Sequence, residues 1–551
     1  MNQPLALTVS GHSIKLEPYN GSPSQSFKLS AQSDGSIGIR YLYEDLTITA
    51  SDTEVWVSPY TGGAWQGFDL KEVIDGSYTI HTMYSKLALT TQADKLLPKT
   101  YVPSNKDQRF NLIEQADGSI GIRKIERSVF VGTPDPLEAI KRVGNWFFNS
   151  YRQSTGYYAQ KNTQLTLELK TSGQSDPKLW IGAPFADPDT RYALPRQYSL
   201  QEGINTITDT GGGMIYLELI GETHTANLTF LQGALEVPFF EHKKTLAGQY
   251  HKMLDQWTQS PFVELTSAHA LVTVSRNAAL THRDSDLNEL MDTYEKIISV
   301  GEELIGLDGA SPLHTRASMK FHFVLGNYGG GGYAHAGHGH TSYHENFAKE
   351  LLTPKDLGES WGVAHELGHQ NQMLAYLPGA LVEVSNNVSS MAVQRTFNLP
   401  STLLTKDSDG LDTWARLLKK LNTPDASIES LDLFERLAVL EQLRLAFGNQ
   451  FWPRMNKITR EKWNSNGYVP DRQQAFDNFA FFSCIAAQAD LCDYCAAWGI
   501  PLSEKGKQAI IALGLPAPPR PPQTLREPTS LTTTSALPLS FRDCTSHSAK
   551  T

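Results

Sequence analysis

The sequence predicts a multidomain chain of 551 residues: an all-β amino-terminal module, then a β-sandwich, then an α+β domain that finishes in helices. Three observations predict this order. A pattern of strands and turns occurs three times within residues 1–131, residues 155–235 alternate apolar and polar side chains between glycine-rich turns, and beyond residue 390 the apolar period becomes helical. The expected segments are 1–131, 137–245, 246–515 and a tail over 516–551.

Gln25-Ser26-Phe27, Gln66-Gly67-Phe68 and Gln108-Arg109-Phe110 recur at intervals of 41 and 42 residues, and Asp-Gly follows nine residues after each glutamine, at 34, 75 and 117. Leu5-Ala6-Leu7-Thr8, Leu46-Thr47-Ile48-Thr49 and Leu87-Ala88-Leu89-Thr90 precede them, 41 residues apart. A unit of this length cannot bury its apolar side alone, but three can around a three-fold axis. Asp-Gly turns between alternating residues make each unit a set of short strands with a hairpin. The three units resemble the lobes of a ricin-type β-trefoil lectin, whose Gln-x-Trp signature holds each lobe together. The resemblance implies a β-trefoil fold and glycan partners. Here the aromatic is Phe in every unit, and Thr8, Thr49 and Thr90 stand near where sugar-binding lobes often carry Asp. A structural or protein-docking module therefore stays open beside glycan binding.

Gly132-Thr133-Pro134-Asp135-Pro136 reads as a linker, leading into an amphipathic helix over residues 140–151. After the sandwich, residues 287–307 have a helical period, 321–325 read as a strand, and 428–447 read as a helix. The tail is rich in Pro, Thr and Ser and is expected to be disordered.

The chemistry concentrates in Trp361-Gly362-Val363-Ala364-His365-Glu366-Leu367-Gly368-His369-Gln370. On a helix, residues four apart share a face, so His365 and His369 can reach one metal ion while Glu366 points at the water such an ion binds. Catalytic zinc usually takes three protein ligands and keeps one position open. Gln372 and Ala375 stand where a Gly-x-x-His continuation would need Gly and His, which leaves a carboxylate as third ligand. The helix is predicted to run to about Tyr376, break at Pro378-Gly379 and restart over 380–390, a turn that brings Glu383 back toward His369. Glu383 is also a lone charge between Leu381-Val382 and Val384, costly to bury without a metal as partner. The expected site is zinc held by His365, His369 and Glu383, with Glu366 as general base.

Just upstream, the stretch from Gly329 to His344 is a glycine loop carrying His335, His338, His340 and His344. It is expected to form a cleft-edge strand or flap touching substrate, with Tyr343 and His344 placed for transition-state contacts. A second metal site is the alternative. It is the weaker one, because histidines alternating with glycine in a flexible loop have no fixed geometry.

The run Trp-Gly-x-x-His-Glu-x-Gly-His-x-x-Gln, here Trp361 to Gln372, is followed by Gly-x-x-x-Glu-Val-Ser-Asn-Asn, here Gly379 to Asn387. Together they resemble the enhancin-type and mucin-degrading, M-sixty-like zinc metallopeptidases. The likeness continues upstream in Gly156-Tyr157-Tyr158-Ala159 and Leu179-Trp180-Ile181-Gly182-Ala183, and downstream in Ala489-Asp490-Leu491 and Trp498-Gly499-Ile500-Pro501, covering residues 137–515. It implies a zincin-type catalytic domain that cleaves O-glycosylated, mucin-like glycoproteins. Trp361, Asn386 and Asn387, which share the motif, are expected substrate contacts. A sugar-binding trefoil would raise local substrate concentration by tethering. Eukaryotic relatives resembling this family can be non-catalytic binding scaffolds, a reading that intact His365, Glu366, His369 and Glu383 speak against.

A net charge of -10 and a pI near 5.9, with no long basic stripe, argue against a nucleic-acid binder. No apolar stretch approaches the length of a membrane span. The first residues lack the basic and apolar regions of a secretory leader, so extracellular action is expected by a leaderless route, with a cytoplasmic place left open. Cysteines occur only at 484, 492, 495 and 544, so the fold cannot depend on a disulfide framework. Cys492 and Cys495 have the spacing of a redox or metal pair, but without a second pair they read as ordinary helix residues.

Overall fold

The computed structural model describes residues 5–73, 77–103, 105–115, 117–125, 129–173, 176–186, 194–326, 334–423, 425–463 and 469–528. The chain divides into two compact units, Met1–Ser299 with Arg316–Gln370, and Val300–Thr315 with Asn371–Thr551.

The first unit opens with twelve strands joined into one hydrogen-bonded sheet. Leu5–Ser10 pairs with Ser13–Pro18, Leu46–Ala50 with Val55–Pro59, and Ala88–Gln92 with Lys95–Lys99. Phe27–Ala31 pairs with Ile37–Tyr41, Phe68–Glu72 with Tyr78–Thr82, and Phe110–Glu114 with Ile120–Lys124. The repeats are then tied in a ring, since Phe68 stands opposite Ile37, Phe110 opposite Tyr78 and Phe27 opposite Ile120. Phe27, Phe68 and Phe110 meet Ile39, Ile80 and Ile122 in the centre, all at 0 % exposure. Each buried phenylalanine contributes roughly 1.5–3 kcal/mol of transfer free energy.

The three glutamines do the same work in each repeat. The side-chain amide of Gln25 donates to Thr8 Oγ1 (3.0 Å) and Pro18 O (3.0 Å), that of Gln66 to Thr49 Oγ1 (3.3 Å) and Pro59 O (2.8 Å), and that of Gln108 to Thr90 Oγ1 (3.0 Å) and Thr100 O (2.8 Å). Thr8, Thr49 and Thr90 are accordingly buried partners of the glutamines and do not face solvent. Asp34 and Asp117 each accept from the backbone and hydroxyl of the serine two residues on, which shapes the turn, whereas Asp75 lies outside the described residues.

Next come two facing sheets. One holds Val129–Val131, Thr225–Gln232, Gln164–Ser172 and Gly203–Thr208, the other Arg196–Ser199, Lys178–Ile181, Gly213–Glu218, Arg152–Ala159 and Ala234–Glu236. Their inward side chains, among them Leu165, Leu167, Leu169, Ile215, Leu217 and Phe230, share one core, as the period of two requires. Val129–Val131, expected to close the first segment, instead pairs with Thr225–Gln232, so the border moves ahead of residue 129. The expected linker is also structured. The Gly132 and Thr133 amides donate to His224 O and Leu219 O, and a Cβ on Gly132 would lie 2.1 Å from Gly221 O, a closeness only glycine permits. The helix that follows is Pro136–Val143. It starts early because Asp135 caps the Leu137 and Glu138 amides with Pro136 at its first position, and it stops where Gly144 turns to φ 84°.

The third repeat docks on this sandwich through the turn that carries its glutamine. Arg109, 2 % exposed, pairs with Glu236 at 2.7 Å, and the Lys106 ammonium lies 4.6 Å from the centre of the Tyr157 ring. The equivalents of Arg109 in the other repeats are Ser26 and Gly67, so the docking is specific to one copy.

A six-stranded sheet completes the first unit, in the order Phe239–Glu241, Phe262–Thr266, Ala270–Ser275, Phe321–Leu325, His340–Tyr343 and Ala334–Gly337. Phe239–Glu241 belongs to this sheet, so the expected border at 245 falls too late. The second unit is mainly helical, with Asn387–Thr396, Thr413–Lys420, Leu433–Phe447, Phe451–Lys462 and Arg472–Ala487. Leu433 rather than residue 428 begins its helix because Asp432 and Glu435 form a reciprocal cap. The expected disordered tail is packed at its start: the Gln442 amide donates to Gln523 O and Leu525 O, Ser401 donates to Glu527, and Arg526 pairs with Asp412. Residues 529–551 lie outside the described residues.

Burial pushes the Cys484 thiol up to about 12, Cys492 up to about 11 and Cys495 well above the ordinary thiol range, so all three stay protonated. Among the described residues no helix is long and apolar enough to cross a membrane.

Candidate metal centre

The helix Trp361–Gln370 carries the motif in the first unit. Val363, Ala364 and Leu367 are buried and fix its inner face, so His365 and His369, one turn apart, share the other. A Cβ on Gly362 would lie 2.7 Å from the Phe347 ring, so glycine there lets the first turn pass close to that aromatic. The ligating atoms of His365, Glu366 and His369 all lie within 4.8 Å of one another, and the two imidazoles are 4.9 Å apart and nearly perpendicular. Glu366 and His369 are buried and His365 half-buried. Two imidazole nitrogens and a carboxylate this close together could hold a metal ion.

The end of this helix is held by groups that sequence reasoning missed. The Gln370 side-chain amide donates to Gly337 O (2.6 Å) and His340 O (3.0 Å), and Asn145 donates to Gln370 O (2.9 Å). Gln370 thereby ties the helix to the hairpin Ala334–Gly337/His340–Tyr343, which is the structured part of the expected glycine loop. Residues 327–333 of that loop lie outside the described residues. The helix stops at Gln370 instead of reaching Tyr376.

Tyr343 is at 0 % exposure, its ring packed against Phe323 and Phe347, so it backs the site instead of presenting a face to substrate. Burial, and then the charge of Glu366, push its phenol well above the usual range. His344 is half-buried, and its Nδ1 accepts the Asn346 amide at 3.2 Å, starting a short turn. Trp361 is the half-buried first residue of the helix.

Glu383 lies in the second unit, in the short helix Val382–Ser385, at a kink with φ −86° and ψ 16°. Its side chain is exposed, which removes the expectation that its charge is buried. Asn387 donates to Glu383 O at 3.0 Å and holds that kink, while Asn386 and Asn387 are themselves buried. Gln372 donates to Val382 O and Ser385 Oγ, bracing the same segment. The Pro378-Gly379 break stands where the sequence predicts it, followed by a 3-10 turn at Gly379–Leu381.

Residues 233–499 match the family described as Peptidase M60, enhancin and enhancin-like, and residues 140–229 match the N-terminal domain of M60-like peptidases. Among solved structures, a functionally unknown conserved protein from Bacillus anthracis is similar over 72 % of this chain and 81 % of its own, with 23 % identity and a TM-score of 0.66. The catalytic module of the metalloprotease ZmpA from Clostridium perfringens is similar over 72 % of this chain and 80 % of its own, with 19 % identity and a TM-score of 0.59. The M60 catalytic domain of ZmpC from the same organism, in complex with the sialyl T antigen, is similar over 72 % and 81 %, with 18 % identity and a TM-score of 0.57. A curated relative, a TRPM8 channel-associated factor homolog from Xenopus laevis, is 24 % identical over 65 % of this chain, which spans only 39 % of that protein. The His-Glu-His group thus lies within the region that matches the Peptidase M60, enhancin and enhancin-like family, behind the region that matches the N-terminal domain of M60-like peptidases.

Proposed function

We propose that this protein is a zinc-dependent endopeptidase that cleaves O-glycosylated, mucin-like glycoproteins outside the cell. The observation that carries the reading is that ligand atoms of His365, Glu366 and His369 lie within 4.8 Å of one another. In this proposal His365 and His369 would hold the ion with Glu383 as third ligand, which would leave Glu366 as general base. Zinc bound there supplies a Lewis acid for the peptide carbonyl and acidifies water. The Glu366 carboxylate takes a proton from the attacking water and returns it to the leaving amide nitrogen. Burial of Glu366 near the Tyr343 ring keeps bulk water from competing for that proton.

Glycoprotein substrates are supported by relatives of this fold captured with the sialyl T antigen and the Tn antigen. The ring of three repeats supports a β-trefoil that tethers the enzyme to glycans. With Thr8, Thr49 and Thr90 buried, sugar contact falls to exposed side chains such as Trp65 and Tyr84, which are 49 % and 61 % exposed. A second reading, a binding scaffold without catalysis, is favoured by the channel-associated relative alone.

Metal content tests the ligand set. Glu383→Ala is expected to lower zinc affinity by 10-fold or more, on the order seen when a site loses a supporting group, whereas Glu345→Ala, in the exposed turn after His344, leaves it unchanged. Full zinc retention in Glu383→Ala would place the third ligand elsewhere.

A further inference from the structure

The histidine hairpin has a second face that the peptidase reading does not use. In the register Gly337↔His340 and His335↔Ser342, the side chains of His335, His340 and Ser342 emerge on one side, with Gly337 between the two imidazoles. The His335 and His340 rings are 5.3 Å apart, and a Cβ on Gly337 would come within 3.1 Å of one and 3.0 Å of the other. Phe185 packs edge-on over His335 and tilted against His340. The turn His338-Gly339 thus gives these histidines the fixed geometry that a flexible loop would deny them.

The tautomer of His340 is set by the backbone. Its Nδ1 lies 3.1 Å from His338 O, an acceptor only, so Nδ1 carries the proton and Nε2 presents a lone pair. His340 is 8 % exposed and Ser342 is at 0 %, yet His340 Nε2 and Ser342 Oγ have no hydrogen-bond partner among the described residues. Leaving such groups buried and unmet is costly. A histidine that donates one ring N–H to a carbonyl and offers the other nitrogen is the usual form of a metal ligand.

We propose that His335 and His340, with the Ser342 hydroxyl beside them, form a second site for a divalent, imidazole-preferring transition metal such as zinc, in addition to the His365–His369 centre that neighbours it. Bound there, the ion would cross-link the edge strand Ala334–Gly337 to His340–Tyr343, the hairpin that Gln370 ties to the active-site helix. The site does not depend on the peptidase reading.

The test uses the full-length chain, stripped with chelator, dialysed against micromolar zinc, and assayed for zinc per chain by elemental analysis. His340→Gln and His335→Ala are each expected to bind one zinc fewer than the wild type and to lose the rise in melting temperature that zinc gives at this site. His335 is half-buried, so His335→Ala keeps the test decisive if the buried His340→Gln fails to fold. Wild-type zinc content in a folded hairpin variant would overturn the proposal and leave a buried water as the partner of His340. His365→Ala separates the two readings: if it loses no zinc, the peptidase centre fails, while the hairpin site is still judged on its own variants.

Discussion

Glu366→Gln is expected to leave the fold and the bound zinc intact while lowering peptide hydrolysis by about 10²-fold or more. The substitution keeps the size and burial of the side chain but removes the group that accepts a proton. Glu366 follows His365 with its carboxylate within 4.8 Å of both imidazole ligand atoms, and the proposed mechanism would have it take the proton. The check is kcat/KM on a glycopeptide together with zinc per chain. Undiminished turnover would remove Glu366 from the mechanism, and lost zinc would make it a ligand rather than the base.

The second large effect is on stability. Phe68→Ala should destabilise the amino-terminal ring by about 3–5 kcal/mol, the range for emptying a buried phenylalanine site. Phe68 is at 0 % exposure and stands where the second repeat meets Ile37 of the first, so the cavity opens at the joint between repeats. Chemical denaturation followed by amide hydrogen exchange over the strands Phe27–Ala31, Ile37–Tyr41, Phe68–Glu72 and Tyr78–Thr82 reads this region. A loss below about 1 kcal/mol would mean that the repeats fold without a shared centre.

The repeats and the motif helix were legible because both are periodic. Gln25, Gln66 and Gln108 stand at even spacing, and each meets the same threonine and the same carbonyl position. His365 and His369 needed only the helical period to share a face. What the sequence hid depends on long-range partners. The motif helix ends at Gln370, whose side chain is held by Gly337 O and His340 O, residues about thirty positions away. Tyr343 read as a substrate contact, yet the rings of Phe323 and Phe347 enclose it. Val129–Val131 read as the end of one module because nothing local reveals that its pairing partner is Thr225–Gln232. The Pro/Thr/Ser composition of the tail says nothing of Glu527, whose partners Ser401 and Trp414 lie more than a hundred residues back. Glu383 was argued from a burial cost it does not incur, since an apolar sequence neighbourhood does not fix exposure at a helix kink.

The most direct test of a zinc glycoprotein peptidase is cleavage of a purified O-glycosylated mucin by the full-length chain as isolated, after chelation, and after zinc is restored. The account predicts fragments from the first and third samples and none from the second, with zinc per chain falling and returning in step. Fragments from the metal-free chain, or an intact mucin and an intact bare peptide in the presence of the zinc-loaded chain, would contradict it.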